Sequence, residues 1–438
     1  MNNAREIFLN LIADNRKGIG KGVYSVCSAN SSVLHACICQ AKEDGSILLI
    51  ESTSNQVDQF GGYTGMRPSD FISYVQSIAD KVDFPGEMIL FGGDHLGPNA
   101  WQNISSEEAM ANSEVLIEEY VKAGYQKIHI DTSMFCVDDK GDRSKPLADE
   151  IVASRTVRLA RVAENAWKKY CSHSPEPVYI IGTEVPVPGG ALEDENVISV
   201  TSPEDAARTI SITKKHLLDE GLESAWRRVV GVVVHPGVEF GDNQIFKYKR
   251  EETKNLNKII SNYEKLVFEV HSTDYQTESD LKNLVKDHFC ILKVGPWLTF
   301  AFREALFALE AMEKEILGEN HRDLSNLWSI LENVMNDEPK YWKKYYPGDK
   351  KQQLFKRKYS FSDRSRYYWP TKELDFAKKK LFKNLRENKI PLSLLSQFMS
   401  VQFYEVCNGN ITVDPNDLVN SHIRIVAGIY SRACGLSN

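Results

Sequence analysis

The chain has 438 residues, 42% apolar and 26% charged, which excludes a disordered or fibrous polypeptide and allows one large domain plus an extension. Its formal charge of -7 comes from 60 acidic and 53 basic residues spread along the sequence, which speaks against a nucleic-acid-binding surface. No stretch has the length of a membrane span or the apolar core of a signal peptide, and the 8 cysteines lack a C-x-x-C pair; a cytoplasmic protein with reduced, buried thiols is expected.

Residues 1–21 carry apolar side chains at helical spacing and predict an N-terminal helix. From 22 to 317 one unit recurs: a short β-branched run, a loop of Gly, Pro and polar residues, then an amphipathic helix. Strands are expected at Gly22–Cys27, Ile47–Thr53, Met88–Phe91, Lys127–Asp131, Val178–Gly182, Val229–Val234, Leu266–Val270 and Cys290–Val294. Runs such as VVGVVV (229–234) are apolar on both faces, as parallel strands covered by helices are. Eight such units in unbroken alternation predict an α/β fold, a closed (β/α)8 TIM barrel rather than an open doubly wound sheet. Ser105-x-x-Glu108, Ser202-Pro203-x-Asp205 and Thr277-x-x-Asp280 mark helix starts, each with a capping hydroxyl three residues before a carboxylate.

Residues 318–438 read as a helical C-terminal extension. Helices are expected at Leu324–Met335, Glu373–Leu385 and Leu418–Tyr430, with the aromatic, basic stretch YSFSDRSRYYWP (359–370) among them. A cap on the barrel and a homo-oligomer interface both fit this pattern.

In such a barrel the residues that follow each strand converge on one mouth. Those positions hold Glu51, Asn55 and Gln56 after strand 2, Asp94 and His95 after strand 3, and Asp131 and Ser133 after strand 4. Glu184 follows strand 5, His235 strand 6, and His271 and Asp274 strand 7. His95, His235 and His271 offer imidazole nitrogens and Glu184 an oxygen, a set suited to Zn²⁺, Mn²⁺ or a similar divalent ion. Asp94, Glu269 and Asp274 are candidates to orient these rings. Asp94 can instead serve as a general acid/base, or merely form an Asx turn.

Lys293 and Gly295, ahead of the last barrel helix, offer either an anion site or, for Lys293, an ion pair with a strand-end carboxylate. Arg364 and Arg366 fit a guanidinium clamp on phosphate or a surface ion pair. The loop Gly61-Gly62-Tyr63-Thr64-Gly65 lacks a following Lys-Ser/Thr, so nucleotide binding is unsupported. It is a closing loop or a plain connector.

Long strings of the sequence resemble the GatZ/KbaZ family, the Z subunits associated with class II D-tagatose-1,6-bisphosphate aldolase. They are SNQVDQFGGYTGM (54–66), GGDHLGPN (92–99), GTEVPVPGG (182–190), PGVEF (236–240), EVHSTDYQ (269–276), LKVG (292–295) and RYYWP (366–370). The resemblance implies a TIM barrel and a place in galactitol or tagatose 6-phosphate breakdown. It implies two functions: a 4-epimerase that interconverts D-tagatose 6-phosphate and D-fructose 6-phosphate, or a non-catalytic partner that stabilises a separate class II aldolase subunit. Asp94-His95 is similar to the Asp-His pair of class II aldolases, in which the histidine binds zinc and the aspartate handles a proton. His235 and His271 fall where that fold carries its later zinc histidines, and some accessory-type members carry Gln at the His235 position. The expected metal is Zn²⁺, with Mn²⁺, Co²⁺ or Ni²⁺ as alternatives. The expected catalytic groups are Asp94 and Glu184, and the expected substrate contacts are Glu51, Asn55, Gln56, Asp131, Ser133, Asp274, Lys293, Gly295, Arg364 and Arg366.

Overall fold

The computed structural model describes residues 3–143, 145–182 and 198–437. Eight parallel strands close into a barrel: β1 Val23–Val26, β2 Leu48–Thr53, β3 Ile89–Leu96, β4 Lys127–Ile130, β5 Val178–Ile181, β6 Val229–Val233, β7 Val267–Val270 and β8 Phe289–Val294. Each pairs with its sequence neighbours, and β8 closes on β1. Their ends agree with the sequence reading to within one residue, apart from β3. There the pairing with β2 continues to Thr53 opposite Asp94, so Asp94 and His95 stand on the strand and not in a loop after it.

The helix Ala4–Arg16 closes the N-terminal end of the barrel. Asn3 caps it by accepting the Glu6 N–H at 3.0 Å. Ala4, Phe8 and Ile12, one turn apart on a single face, join one apolar cluster with Leu49, Leu90, Ile180 and Val267. Burial of that face holds the helix across the barrel end.

Side chains alternate along each strand, and the inward set changes character halfway up. On β2 the period-two set runs Leu49, Glu51, Thr53; on β4 it runs Lys127, His129 and on to Asp131. Leu49 belongs to the apolar floor, whereas Glu51 and Lys127 are wholly buried charges above it. Gly92 of β3 leaves the required room: a Cβ there would lie 2.7 Å from Glu51 Cγ.

Helices form the outer ring, and the capping hydroxyls read from the sequence are in use. Ser105, Ser202 and Thr277 accept from the N–H of Glu108, Asp205 and Asp280 at 3.4, 3.0 and 3.1 Å. Among the described residues no helix is long and apolar enough to cross a membrane. The extension includes the helices Leu327–Asp337, Lys372–Glu387 and Pro415–Ala433. The last packs on the ring helices Ser31–Asp44 and Pro296–Leu317, and its buried Tyr430 donates its hydroxyl to Thr273 O at 2.8 Å, just past β7. The extension therefore shares the barrel's main core and reaches its C-terminal mouth.

Candidate active site

The upper half of the barrel holds a charged layer. Lys127 lies 2.5 Å from Glu51 and 2.7 Å from Glu269, and Lys293 contacts Glu51 as well as Asp94 at 2.8 Å and Glu269 at 3.3 Å. Two ammonium groups thus serve three carboxylates with almost no access to solvent. Isolated buried charges are costly, and only mutual pairing makes the layer tolerable. The carboxylates lift the Lys293 ammonium well above its usual range despite its burial. Burial works to raise Glu269, but Lys127 and Lys293 outweigh it and hold that carboxyl well below the usual range.

Directly above this layer, Asp94, His95, His129 and His271 bring one ligand atom each within 4.8 Å of one another, all four buried. His95 occupies a bulge, where the β3–β4 register shifts between Gly93 and Leu96, and its φ is +48°. Left-handed backbone at a non-glycine residue costs on the order of 1–3 kcal/mol and persists only where neighbours enforce it. Here the bulge turns consecutive side chains, Asp94 and His95, toward the same centre.

The contacts define a role for each member. His95 Nδ1 lies 2.8 Å from Asp131 Oδ2, and Asp131 is itself held by the Ser133 N–H and hydroxyl at 3.2 and 2.6 Å. A carboxylate only accepts, so the His95 proton sits on Nδ1 and Nε2 presents its lone pair. Burial opposes a charge on His95, yet Asp94 and Asp131 raise its pKa. Burial likewise works to raise Asp131, but His95 pulls it below the usual range. His129 Nε2 donates to Gly182 O at 3.0 Å, and its Nδ1 lies 2.9 Å from Asp94 Oδ1. Burial favours the neutral acid at Asp94, but Lys293, His95 and His129 keep it ionised, well below the usual range. His271 is pushed down to about 3, chiefly by burial, and lies 3.4 Å from Glu269. It stays a neutral imidazole, the form that binds metals.

This cluster forms part of the wall of a cavity of about 330 Å³ at the C-terminal mouth. Of the expected substrate contacts, Asn55, Gln56, Asp274, Lys293, Gly295, Arg364 and Arg366 line it. Glu51, Asp131 and Ser133 do not: Glu51 is sealed beneath it by Lys127 and Lys293, and Asp131 stands behind His95 with Ser133 on its far oxygen. Lys293 takes the ion-pair alternative. Glu184 lies outside the described residues. His235 is at the end of β6, but it is not in the four-residue cluster; its Nδ1 accepts the Gly237 N–H at 3.1 Å, which turns that nitrogen into its own loop. Burial pushes its pKa down to about 4.

The extension supplies another part of the wall, through Lys344, Tyr345, Arg364, Arg366 and Tyr367. Arg364 stacks over Tyr345 at 3.3 Å from the ring centre, and Arg366 donates to Asp363 O and Tyr367 Oη at 3.2 and 3.0 Å. Those hydrogen-bond partners are neutral oxygens, and the charge of Arg366 is balanced from a distance by Asp363 and Asp274. Both arginines ride on a segment anchored by a buried ion pair between Arg303 and Asp363 (3.0 Å). The Gly61–Gly65 loop docks on it through Tyr63, whose ring meets Tyr367 edge-on at 4.9 Å.

Two participants were not singled out from the sequence, Lys127 and His129. Their signal is the alternation Lys127-x-His129-x-Asp131 along one face of a strand that is otherwise apolar.

Residues 8–435 match the family described as "D-tagatose-1,6-bisphosphate aldolase subunit GatZ/KbaZ-like". The crystal structure of a "probable tagatose 6 phosphate kinase" from Sinorhizobium meliloti 1021 is 41% identical, with 94% of this chain and 100% of that one covered and a TM-score of 0.86. The YdjI aldolase from Escherichia coli K12 is 13% identical over 87% of this chain and 98% of that one, with a TM-score of 0.41, a likeness too loose to carry a conclusion.

Proposed function

The chain belongs to the GatZ/KbaZ-like family of D-tagatose-1,6-bisphosphate aldolase subunits, and on that footing we propose that it is a metal-dependent enzyme of ketohexose 6-phosphates. The proposed reaction interconverts D-tagatose 6-phosphate and D-fructose 6-phosphate at C4 by retro-aldol and aldol steps. The observation that supports it most is the gathering of Asp94, His95 and His271, with His129 beside them, at a cavity that Arg364 and Arg366 also line.

Imidazole nitrogens with a carboxylate oxygen suit Zn²⁺ first, and Mn²⁺, Co²⁺ or Ni²⁺ next. His95 and His271 are the proposed ligands in the cluster. His129 is less suited, because Nε2 donates to Gly182 O and Nδ1 lies against both the His95 N–H, at 3.2 Å, and Asp94; its proposed role is to hold this stretch of β3 in place. The third imidazole is assigned to His235, at the end of β6, the strand paired with the one that leads to His271. Glu184, outside the described residues, keeps its proposed role as a second proton carrier.

A divalent ion bound there supplies Lewis acidity toward the C2 carbonyl and C3 hydroxyl of the open-chain ketose. Asp94, kept ionised by Lys293, accepts the C4 hydroxyl proton as the C3–C4 bond breaks. The bonding pair passes toward C2, and C4 becomes an aldehyde. After the aldehyde rotates, the C3–C4 bond re-forms and Asp94 returns the proton, so that C4 is inverted. Arg364 and Arg366 hold the phosphate while the fragment turns, and Asn55 and Gln56 face the sugar hydroxyls. Without the rotation these are the steps of an aldolase.

Purified protein with added Zn²⁺ or Mn²⁺ is expected to convert fructose 6-phosphate to tagatose 6-phosphate with no other protein present, as read by NMR. No turnover with any divalent ion overturns the proposal. The family's description as an aldolase subunit favours a second reading, a stabilising partner of a class II aldolase. Co-purification with that aldolase, a raised aldolase melting temperature and no activity alone would support it. Kinase activity, the description carried by the S. meliloti protein, lacks a phosphate-cradling motif here: Met66-Arg67 follows the Gly61–Gly65 loop.

A further inference from the structure

The helix Pro296–Leu317 starts immediately after β8, and Gly295 and Pro296 border the mouth cavity. In TIM barrels a helix start on this side is a common place for a phosphate, which the backbone N–H groups receive. Here those groups are already taken. Asp274 Oδ1 accepts the Gly295 N–H at 3.1 Å and the Trp297 N–H at 2.8 Å, and Asp274 is buried and borders the same cavity. Lys293, on the same wall, is ringed by Glu51, Asp94 and Glu269, and the cation whose charge acts on Asp274 is Arg366 of the extension. A phosphate brought to the helix start itself meets a carboxylate in place of the backbone donors. The other positive charge around the cavity comes from the extension, through Lys344, Arg364 and Arg366.

We infer that Asp274 is a specificity-determining residue that makes the site select a ketose carrying one phosphate, by occupying the helix start where a phosphate on C1 would bind. A C1 hydroxyl, a donor, suits that carboxylate, and the single phosphate is left to the arginines of the extension. This rests on the ketohexose 6-phosphate reading above and adds to it the residue that excludes the 1,6-bisphosphate.

The test is calorimetric titration of the full chain, with Zn²⁺ present, using fructose 6-phosphate and fructose 1,6-bisphosphate. Wild type is expected to favour the monophosphate by about tenfold or more, because an unpaired like charge in a recognition site penalises the wrong partner. Asp274→Gly, which removes the charge and uncovers both N–H groups, should bring the two affinities together or reverse their order. Asp274→Asn keeps an acceptor on the helix start and removes only the charge, so its ratio should fall between; it carries the test if the glycine variant does not fold. Equal wild-type affinities, or a ratio unchanged in the folded variants, overturn the inference and reduce Asp274 to a helix cap. Binding of neither sugar phosphate overturns this inference and the proposed function together. Selective binding of the monophosphate without turnover overturns the epimerase reading alone.

Discussion

Asp131 gives His95 what a ligating imidazole requires: a carboxylate that accepts a hydrogen bond from Nδ1–H and leaves Nε2 for an ion. Its replacement by Asn keeps the shape but weakens that acceptor, and the ring is no longer held in one tautomer. Asp131→Asn is expected to weaken metal affinity by about 10–100-fold with little change in fold, as read by competition with a chromophoric chelator. Unchanged affinity would remove Asp131 from the site. Asp274 makes a different prediction, in pH. Burial pushes its folded pKa up to about 6, against about 3.9 for an unperturbed aspartate. The folded state therefore keeps the proton longer, and the stability this group contributes is full below about pH 4 and lost as pH rises through about 6. Relative to wild type, Asp274→Asn should gain stability between pH 4.5 and 7.5, by up to about 3 kcal/mol. Denaturant melts at the two pH values check this, and a difference independent of pH contradicts it.

At the scale of the element, the short turn Arg364–Tyr367 brings two guanidinium groups to a mouth formed by strands far away in sequence. Its placement depends on Asp363, held at a φ of +40°, and on the buried Arg303 of the helix after β8. Arg303→Met should leave Asp363 buried without its counter-charge, at a cost of about 3–5 kcal/mol. If the turn positions the phosphate, that variant should also raise KM for the sugar phosphate more than it lowers kcat. An unchanged KM in folded protein would separate the turn from substrate binding. The strand β3 shows the same dependence on context. Its sequence reads as ending at Phe91, because Gly92-Gly93-Asp94 is turn chemistry; pairing with β2 carries the strand on to Asp94, and pairing with β4 at Leu96 extends it past the bulge at His95.

For the whole molecule, the barrel was legible because its signals are local: β-branched runs and one apolar face per helix, repeated eight times, with capping hydroxyls at three of the helix starts. The strand-end histidines His95 and His271 were legible for a related reason, since a barrel gathers its strand ends at one mouth. Three features were not. His129 stands within a strand, where a histidine reads as core until the charged alternation with Lys127 and Asp131 is noticed. Glu51 and Asp131 sit where a substrate contact would, but they turn to Lys127, Lys293 and His95, a choice that only three-dimensional pairing decides. The capping of Gly295 and Trp297 by Asp274 joins residues of two loops, and no local pattern marks it.

The proposed chemistry requires the buried histidine cluster at the mouth to hold a divalent ion. Elemental analysis of the purified full-length protein, before and after dialysis against a chelator and reloading with Zn²⁺, tests it most directly, beside His95→Ala and His235→Gln. About one ion per wild-type chain is expected, with a weakened hold in both variants if His235 joins His95 as a ligand of the same site. Wild-type protein that retains no ion after reloading would contradict it.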